Sequence, residues 1–258
     1  MSLLEKDEGM SSAIYPSLKG RKVLITGGGS GIGAGLVQAF VRQGAIVHFI
    51  DLVDEVSATI AASSDTTPPV YHLCDLTDTP KLEALLHAIQ AEGPVSILLN
   101  NAARDDRHSL SEITSEFFDK NVAVNLKHML MCSRIIAPGM KALGGGAIIN
   151  FGSISWHLGL PELTLYETAK AGIEGMTRAL ARELGRDNIR VTSIIPGNVK
   201  TPRQMKWYTP EGEAEIVNSQ CLSGRIEPSH VASLALFLAS DDAALCTGHG
   251  YWIDAGWR

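Results

Sequence analysis

The chain has 258 residues, 45% of them hydrophobic, and a formal net charge of −6. That length suits one large α/β domain or two small ones with a full core, and the mildly acidic balance argues against a nucleic-acid or anionic-membrane partner, either of which wants a clustered basic face. No apolar run approaches the ~20 residues that span a bilayer, the charged start does not read as a secretory signal, and Cys74, Cys132, Cys221 and Cys246 lack a CxxC pair, so the expectation is a cytoplasmic protein with no metal site, its cysteines buried as small apolar groups.

Residues 1–17 are polar and without periodicity, which predicts a flexible arm; Met10 is an alternative start that the sequence leaves open. From residue 18 to 258 a single domain is expected, since no Pro/Gly-rich linker divides it. Strands are predicted over 22–26, 45–51, 70–75, 95–100, 147–153, 190–195 and 250–254. Helices fall between them over 31–43, 79–92, 115–140, 163–184 and 228–240. The strands are almost wholly apolar, as when helices cover both sheet faces. Repeated β-α-β units then give a doubly wound (Rossmann) parallel sheet of about seven strands.

The first strand runs into Thr26-Gly27-Gly28-Gly29-Ser30-Gly31-Ile32-Gly33 and then a helix. Such a turn lets backbone approach a pyrophosphate, and the helix N-terminus offers free N–H groups and partial positive charge. The GxGxxG spacing is absent; TGxxxGIG is what the residues spell. The second strand ends in Asp51, where an acidic side chain accepts hydrogen bonds from adenine-ribose hydroxyls and repels a 2′-phosphate. Ser30 brings no cation to that phosphate, so NAD is favoured over NADP. The third and fourth strands end in Asp75-Leu76 and Asn100-Asn101-Ala102, on the ligand-binding edge of an open α/β sheet.

The strongest chemical signal is Tyr166-Glu167-Thr168-Ala169-Lys170. Residues four apart share a helix face, so phenol and ammonium meet in one pocket, and a neighbouring Lys⁺ favours the phenolate. Ser153, at the end of the strand upstream, can hold a reacting oxygen against that phenol. Asn125 is a candidate for holding a relay water.

Together, TGGGSGIG, Asp75, Asn-Asn-Ala, Asn125, Ser153, the YxxxK pair and Pro196-Gly197 resemble the short-chain dehydrogenase/reductase family over nearly the whole chain. The resemblance implies Asn125, Ser153, Tyr166 and Lys170 as a catalytic tetrad. For the cofactor it implies Gly27, Ser30, Gly31 and Ile32 at the pyrophosphate, Asp51 and Leu52 at the adenine ribose, and Asp75 and Leu76 at adenine. It further implies Asn101 and Ala102 on the ribose side, Tyr166 and Lys170 at the nicotinamide ribose, and Val199 and Thr201, after Pro196 and Gly197, at the carboxamide. Ala103 departs from the family pattern, which places glycine there.

Less generic runs, 12–20, 150–159 and 251–258, are similar to the bacterial branch of the family that oxidises aldoses at C1 with NAD, D-xylose foremost. L-arabinose, D-glucose or another polyol are the alternatives within that reading. A ketoacyl-carrier reductase and a dinucleotide-binding protein without catalysis are the rivals outside it. Loops at the carboxyl edge of the sheet offer Arg104, Trp156, His157, Asn198, Gln204 and Trp207 as sugar contacts. Trp207 and Tyr208 either close over the substrate or seal the edge of the core, and Trp257-Arg258 reaches either a neighbouring subunit's site or only an interface. A homotetramer is what the resemblance implies for assembly.

Overall fold

The computed structural model describes residues 13–53, 57, 59–60, 67–206 and 208–257. In chain order its main elements are β1 (Lys22–Thr26), α1 (Gly31–Arg42), β2 (Ile46–Asp51), β3 (Val70–Leu73), α2 (Thr79–Ala91) and β4 (Ile97–Asn100). There follow α3 (Ser115–Val122), α4 (His128–Ala142), β5 (Gly146–Phe151), α5 (Ser155–Leu158), α6 (Thr164–Leu184), β6 (Ile189–Pro196), α7 (Pro210–Asn218), α8 (Pro228–Ala239) and β7 (Gly250–Ile253). Hydrogen bonding orders the sheet β3-β2-β1-β4-β5-β6-β7, and every neighbouring pair is parallel. The expected doubly wound sheet is therefore present, and its order reverses between β1 and β4, where ligands bind in open α/β sheets.

Alternation along each strand divides the core in two. Val23, Ile25, Phe49, Leu99 and Ile149 pack with Leu36 and Phe40 of α1 and Val231 and Ala235 of α8. Leu24, Ile50, Leu98 and Ile148 pack on the opposite face with Leu82 and Leu86 of α2 and Ile136 and Met140 of α4. Both faces are covered, which explains the near absence of polar residues from the central strands.

Two elements depart from the sequence expectation. The helix foreseen over 115–140 is broken by a π-helical turn, Ala123–Lys127, between α3 and α4. Such a turn adds one residue to the helix, and the periodicity over 115–140 does not reveal it. Helix α7 went unforeseen because Ile216 is its one buried residue among those described, leaving no apolar stripe. Its local signal is the cap: the Thr209 hydroxyl accepts from Gly212 N–H, and Pro210 opens the first turn. Of the expected arm, 1–12 with Met10 lie outside the described residues. Within 13–17, the Ala13 carbonyl accepts from the Gln43 amide at 2.9 Å and Tyr15 N–H donates back to it at 2.8 Å. Trp207 and Arg258 also lie outside the described residues.

Two buried imidazoles load the fold at low pH. His48 contacts His72 through ring nitrogens 3.0 Å apart; burial, then the charges of Lys22 and His72, bring its pKa down to about 4. His128 sits wholly buried, 3.4 Å from the Thr26 hydroxyl, and burial with the Lys170 charge lowers its pKa to about 3. An unfolded chain takes up these protons near pH 6.5 while the folded one does not, so acid favours the unfolded state throughout the interval. The urea midpoint is expected to fall steadily from pH 6.5 to pH 4; a midpoint flat over that window would show that these imidazoles charge without penalty.

Candidate active site

The turn after β1 has no room for side chains. A Cβ at Gly33 would stand 1.8 Å from the Gly27 carbonyl oxygen, and one at Gly28 2.6 Å from Phe49. Gly27 has φ +69 and backs onto Ala102, while Gly31 has φ +51 beneath the Thr201 methyl. Positive φ and close approach together require glycine at these two places. Ser30 is the N-cap of α1, yet its hydroxyl makes no capping bond, and the first turn carries no acidic residue to oppose an anion. Ile32 follows in that first turn.

Asp51 organises the turn. Its Oδ2 accepts from Gly29 N–H at 2.7 Å, and Oδ1 accepts from Leu52 and Val53 N–H at 2.7 and 3.1 Å. Opposite it, the Thr26 hydroxyl accepts from Asn101 and Ala102 N–H, while the Asn101 amide donates to the carbonyls of Thr26 and Gly27. The ends of β1 and β4 are thereby laced together at the sheet's reversal. Asp75 turns its carboxylate onto Thr77, N–H and hydroxyl both, and Leu76 is buried beside it.

The loop after β6 reaches back to the same turn. Gly197 N–H donates to the Ile253 carbonyl, and a Cβ there would strike Asp254 at 2.8 Å. Pro196 accepts from Ile154 N–H, Val199 bridges Ile226, and Thr201 leans over Gly31. The glycine turn thus meets the loop after β4 through Asn101 and the loop after β6 through Thr201.

Lys170 is 2% exposed, and its ammonium donates to the Phe151 carbonyl at 2.6 Å, at the end of β5. Burial lowers its pKa to about 7, against a smaller opposing pull from Asp105. Tyr166 lies one helical turn earlier, with the Lys170 ammonium 5.4 Å from its ring centre. Burial pushes the phenol up to about 12, while its hydrogen bond with the Ser153 side chain pulls the other way. The sequence predicts that a neighbouring Lys⁺ favours the phenolate; the largest influence on the phenol in this structure is burial. Ser153 Oγ also accepts from Ser155 N–H at 3.1 Å.

Asn125 stands in the π-helical turn, and its side-chain amide makes three hydrogen bonds. Its Oδ1 accepts from Arg104 N–H at 2.9 Å, and its Nδ2 donates to the Arg104 carbonyl and to Asn121 Oδ1. The turn therefore fixes the loop after β4 to the helix that carries Asn125.

The loop residues expected at a substrate divide into two groups. Trp156 and His157 both spend a ring nitrogen on Glu174 Oε1, at 2.9 and 3.1 Å, and His157 packs on Trp252. Arg104 pairs with Asp106. Gln204 and Arg203, by contrast, reach across to Asp105, and the charges of Asp105 and Arg203 are both felt at the Tyr166 phenol. Asn198 accepts from the Arg225 guanidinium at 2.7 Å and donates to the Tyr208 hydroxyl at 2.6 Å. Arg225 also pairs with Glu213 of α7 and lies over the Tyr208 ring. Arg225 and Glu213, which carry no motif, went unforeseen in the sequence.

Comparison with known proteins follows the geometry. A family model described as enoyl-(acyl carrier protein) reductase matches residues 27–258. D-xylose 1-dehydrogenase of Caulobacter vibrioides is 65% identical over 251 residues, covering 96% of this chain and 100% of that protein. A probable galactose dehydrogenase of Rhizobium meliloti is 43% identical over 252 residues, 96% of this chain and 98% of its own. Among solved structures, a 3-oxoacyl-[acyl-carrier protein] reductase from Brucella melitensis superposes with a TM-score of 0.87 at 31% identity, covering 95% of this chain and 94% of that one. The chain belongs to the short-chain dehydrogenase/reductase family, whose dehydrogenases use nicotinamide dinucleotides.

The tightest glycine supplies a test. Gly33→Ala is expected to weaken NADH binding at least about tenfold and to lower the melting temperature, because the methyl group and the Gly27 carbonyl cannot share that space. Gly185→Ala, where nothing lies within 4 Å, is the control and should change neither. Unaltered NADH affinity in Gly33→Ala, read by fluorescence titration, would place the dinucleotide elsewhere.

Proposed function

We propose that this enzyme oxidises an aldose at C1, D-xylose foremost, passing hydride to NAD and releasing the aldonolactone. What carries the reading is the assembly of Tyr166, Ser153 and a buried Lys170 at the carboxyl ends of the strands, beside a glycine turn that excludes side chains. The 65% identity to a D-xylose 1-dehydrogenase supports the sugar. Charged and amide groups from two loops around the phenol support a hydroxylated substrate over a fatty-acyl chain, which needs an apolar channel.

A dinucleotide fits the residues present. The glycine turn is bare backbone, the Ser30 hydroxyl makes no capping bond, and the N-terminus of α1 favours a pyrophosphate. Asp51 selects NAD: an ionised carboxylate has about four acceptor positions, of which backbone N–H groups occupy three. The remainder accepts from a ribose hydroxyl and repels a 2′-phosphate.

Bound NAD supplies the hydride acceptor; the proton chemistry falls to the protein. Tyr166, as phenolate, takes the proton from the C1 hydroxyl while the C1 hydrogen leaves as hydride, so that C1 becomes the lactone carbonyl. Ser153 holds the reacting oxygen by a hydrogen bond. Lys170, when charged, would favour the phenolate, and it would hold the nicotinamide ribose. With the Asn125 amide engaged by Arg104 and Asn121, a relay water at this position would be held largely by the main chain of the π-helical turn. Tetramer formation through the helical stretches 115–140 and 163–184 and the last strand completes the reading by resemblance.

The test is NADH formation at 340 nm with a panel of pentoses and hexoses, repeated with NADP. D-xylose with NAD should lead, with kcat/KM at least about tenfold above that with NADP. Since burial raises the Tyr166 phenol to about 12, the phenolate fraction grows with pH and oxidation should quicken from pH 6 to 9; a flat profile counts against Tyr166 as base. Tyr166→Phe should lose about a thousandfold in kcat with NADH binding retained. Turnover of a ketoacyl carrier with silence on every sugar would overturn the substrate class.

A further inference from the structure

Asp105 is the carboxylate that the chemistry above leaves unused. It stands in the loop after β4, one residue beyond Arg104, whose backbone is clamped on both sides by the Asn125 amide. Its position is therefore set by the same π-helical turn that positions Asn125. From the loop after β6, Arg203 Nη2 meets Asp105 Oδ1 at 2.6 Å and the Gln204 amide lies 3.4 Å from Oδ2. Arg203 also reaches Asp106 at 3.9 Å, but Asp106 has a nearer partner in Arg104, Nε to Oδ2 at 3.0 Å. The carboxylate of Asp105 and the guanidinium of Arg203 remain one-third and one-half exposed, so neither is sealed into the core. Their charges act on the phenol in opposite senses, Asp105 raising and Arg203 lowering its pKa, and Asp105 is felt at Lys170 as well. This contact therefore bridges the loop after β4 and the loop after β6, and its charges are felt at the Tyr166 phenol.

An exposed ion pair contributes little to stability, so a stabilising role gives a poor account of one spanning the mouth of a reaction centre. Its chemistry suits recognition. A carboxylate only accepts and a guanidinium only donates; side by side they complement two adjacent hydroxyls, one donating and one accepting. We propose that Asp105 is a specificity-determining residue that accepts a hydrogen bond from a ring hydroxyl of the sugar, while Arg203 and Gln204 donate to the oxygen of its neighbour. The assignment rests on the aldose reading and adds to it the group that selects a polyhydroxylated ring.

Deoxy sugars test it. kcat/KM is measured for the best aldose and for its 2-, 3- and 4-deoxy analogues, in the wild type and in Asp105→Asn, with NADH affinity recorded for each protein. In the wild type one deoxy position should cost about 10- to 100-fold, the range for a hydrogen bond to a charged group. Asp105→Asn should lose a similar factor on the parent sugar, mainly in KM, and removal of that same hydroxyl should then cost it little more. Equal discrimination by the two proteins across the series would overturn the assignment. Should Asp105→Asn fail to bind NADH, Asp105→Glu decides: it keeps the ion pair but displaces the carboxylate, and KM for the parent sugar should rise at least about fivefold, whereas an unchanged KM overturns the proposal. No turnover of any aldose by the wild type refutes the aldose reading itself; normal turnover with an indifferent Asp105 refutes only this assignment.

Discussion

Burying the ammonium of Lys170 is the constraint on which the arrangement of the site depends. A cation taken out of water costs several kcal/mol unless the interior supplies partners, and the cost shows in a pKa brought down from 10.5 to about 7. The partner supplied is the Phe151 carbonyl. Pairing between β4 and β5 ends at Asn100 and Asn150, so Phe151 lies one residue past the last β4 contact. Meeting that carbonyl fixes the rotation of α6 about its axis. Positions four apart then fall into line: Tyr166 one turn before, toward Ser153, and Glu174 one turn after, where it accepts from Trp156 and His157 of α5.

A second chain of contacts holds the strands that this helix rests on. The Asn100 amide donates to Asn150 Oδ1 at 2.9 Å, and the Asn150 amide donates to the Thr177 hydroxyl at 3.0 Å. Buried amides of this kind are costly when unpaired and specific when paired, so they set strand register and helix position together. At the reversal point Asn101 and Thr26 do the same for the glycine turn. Hydrophobic packing explains why the sheet forms; these polar links explain why its carboxyl ends align closely enough to carry chemistry.

That division also explains what could be read from the residues alone. Apolar strands and amphipathic helices carry their signals locally, so the order β1, α1, β2 and the doubly wound class were legible before any coordinates. The glycine turn and the Tyr166/Lys170 pair were legible because spacing on one element suffices. The π-helical turn was not, nor was the tertiary bond it carries between Asn125 and the Arg104 backbone, residues 21 apart. Nor were the partners of Trp156 and His157, since the attraction of Glu174 comes from another helix. Helix α7 shows the converse case, a clear cap with too little buried surface to mark the body. Asp51 was legible as an acidic strand end, but its hold on the glycine turn through Gly29 depended on the fold.

The titration behaviour of Tyr166 and Lys170 bears on how such a site is switched on. With the phenol raised to about 12 and the ammonium lowered to about 7, both groups favour their neutral forms, since desolvation penalises whichever is charged. The protein alone therefore does not hold a phenolate. The loops do little to change that, because Asp105 and Arg203 pull the phenol in opposite directions. A positive charge brought next to the ring has the sign needed to lower the phenol, and the oxidised nicotinamide carries one. In the mechanism proposed above, Tyr166 would act as base with the oxidised dinucleotide bound and as proton donor with the reduced one, and burial would strengthen that coupling, since in water the same charge would be screened.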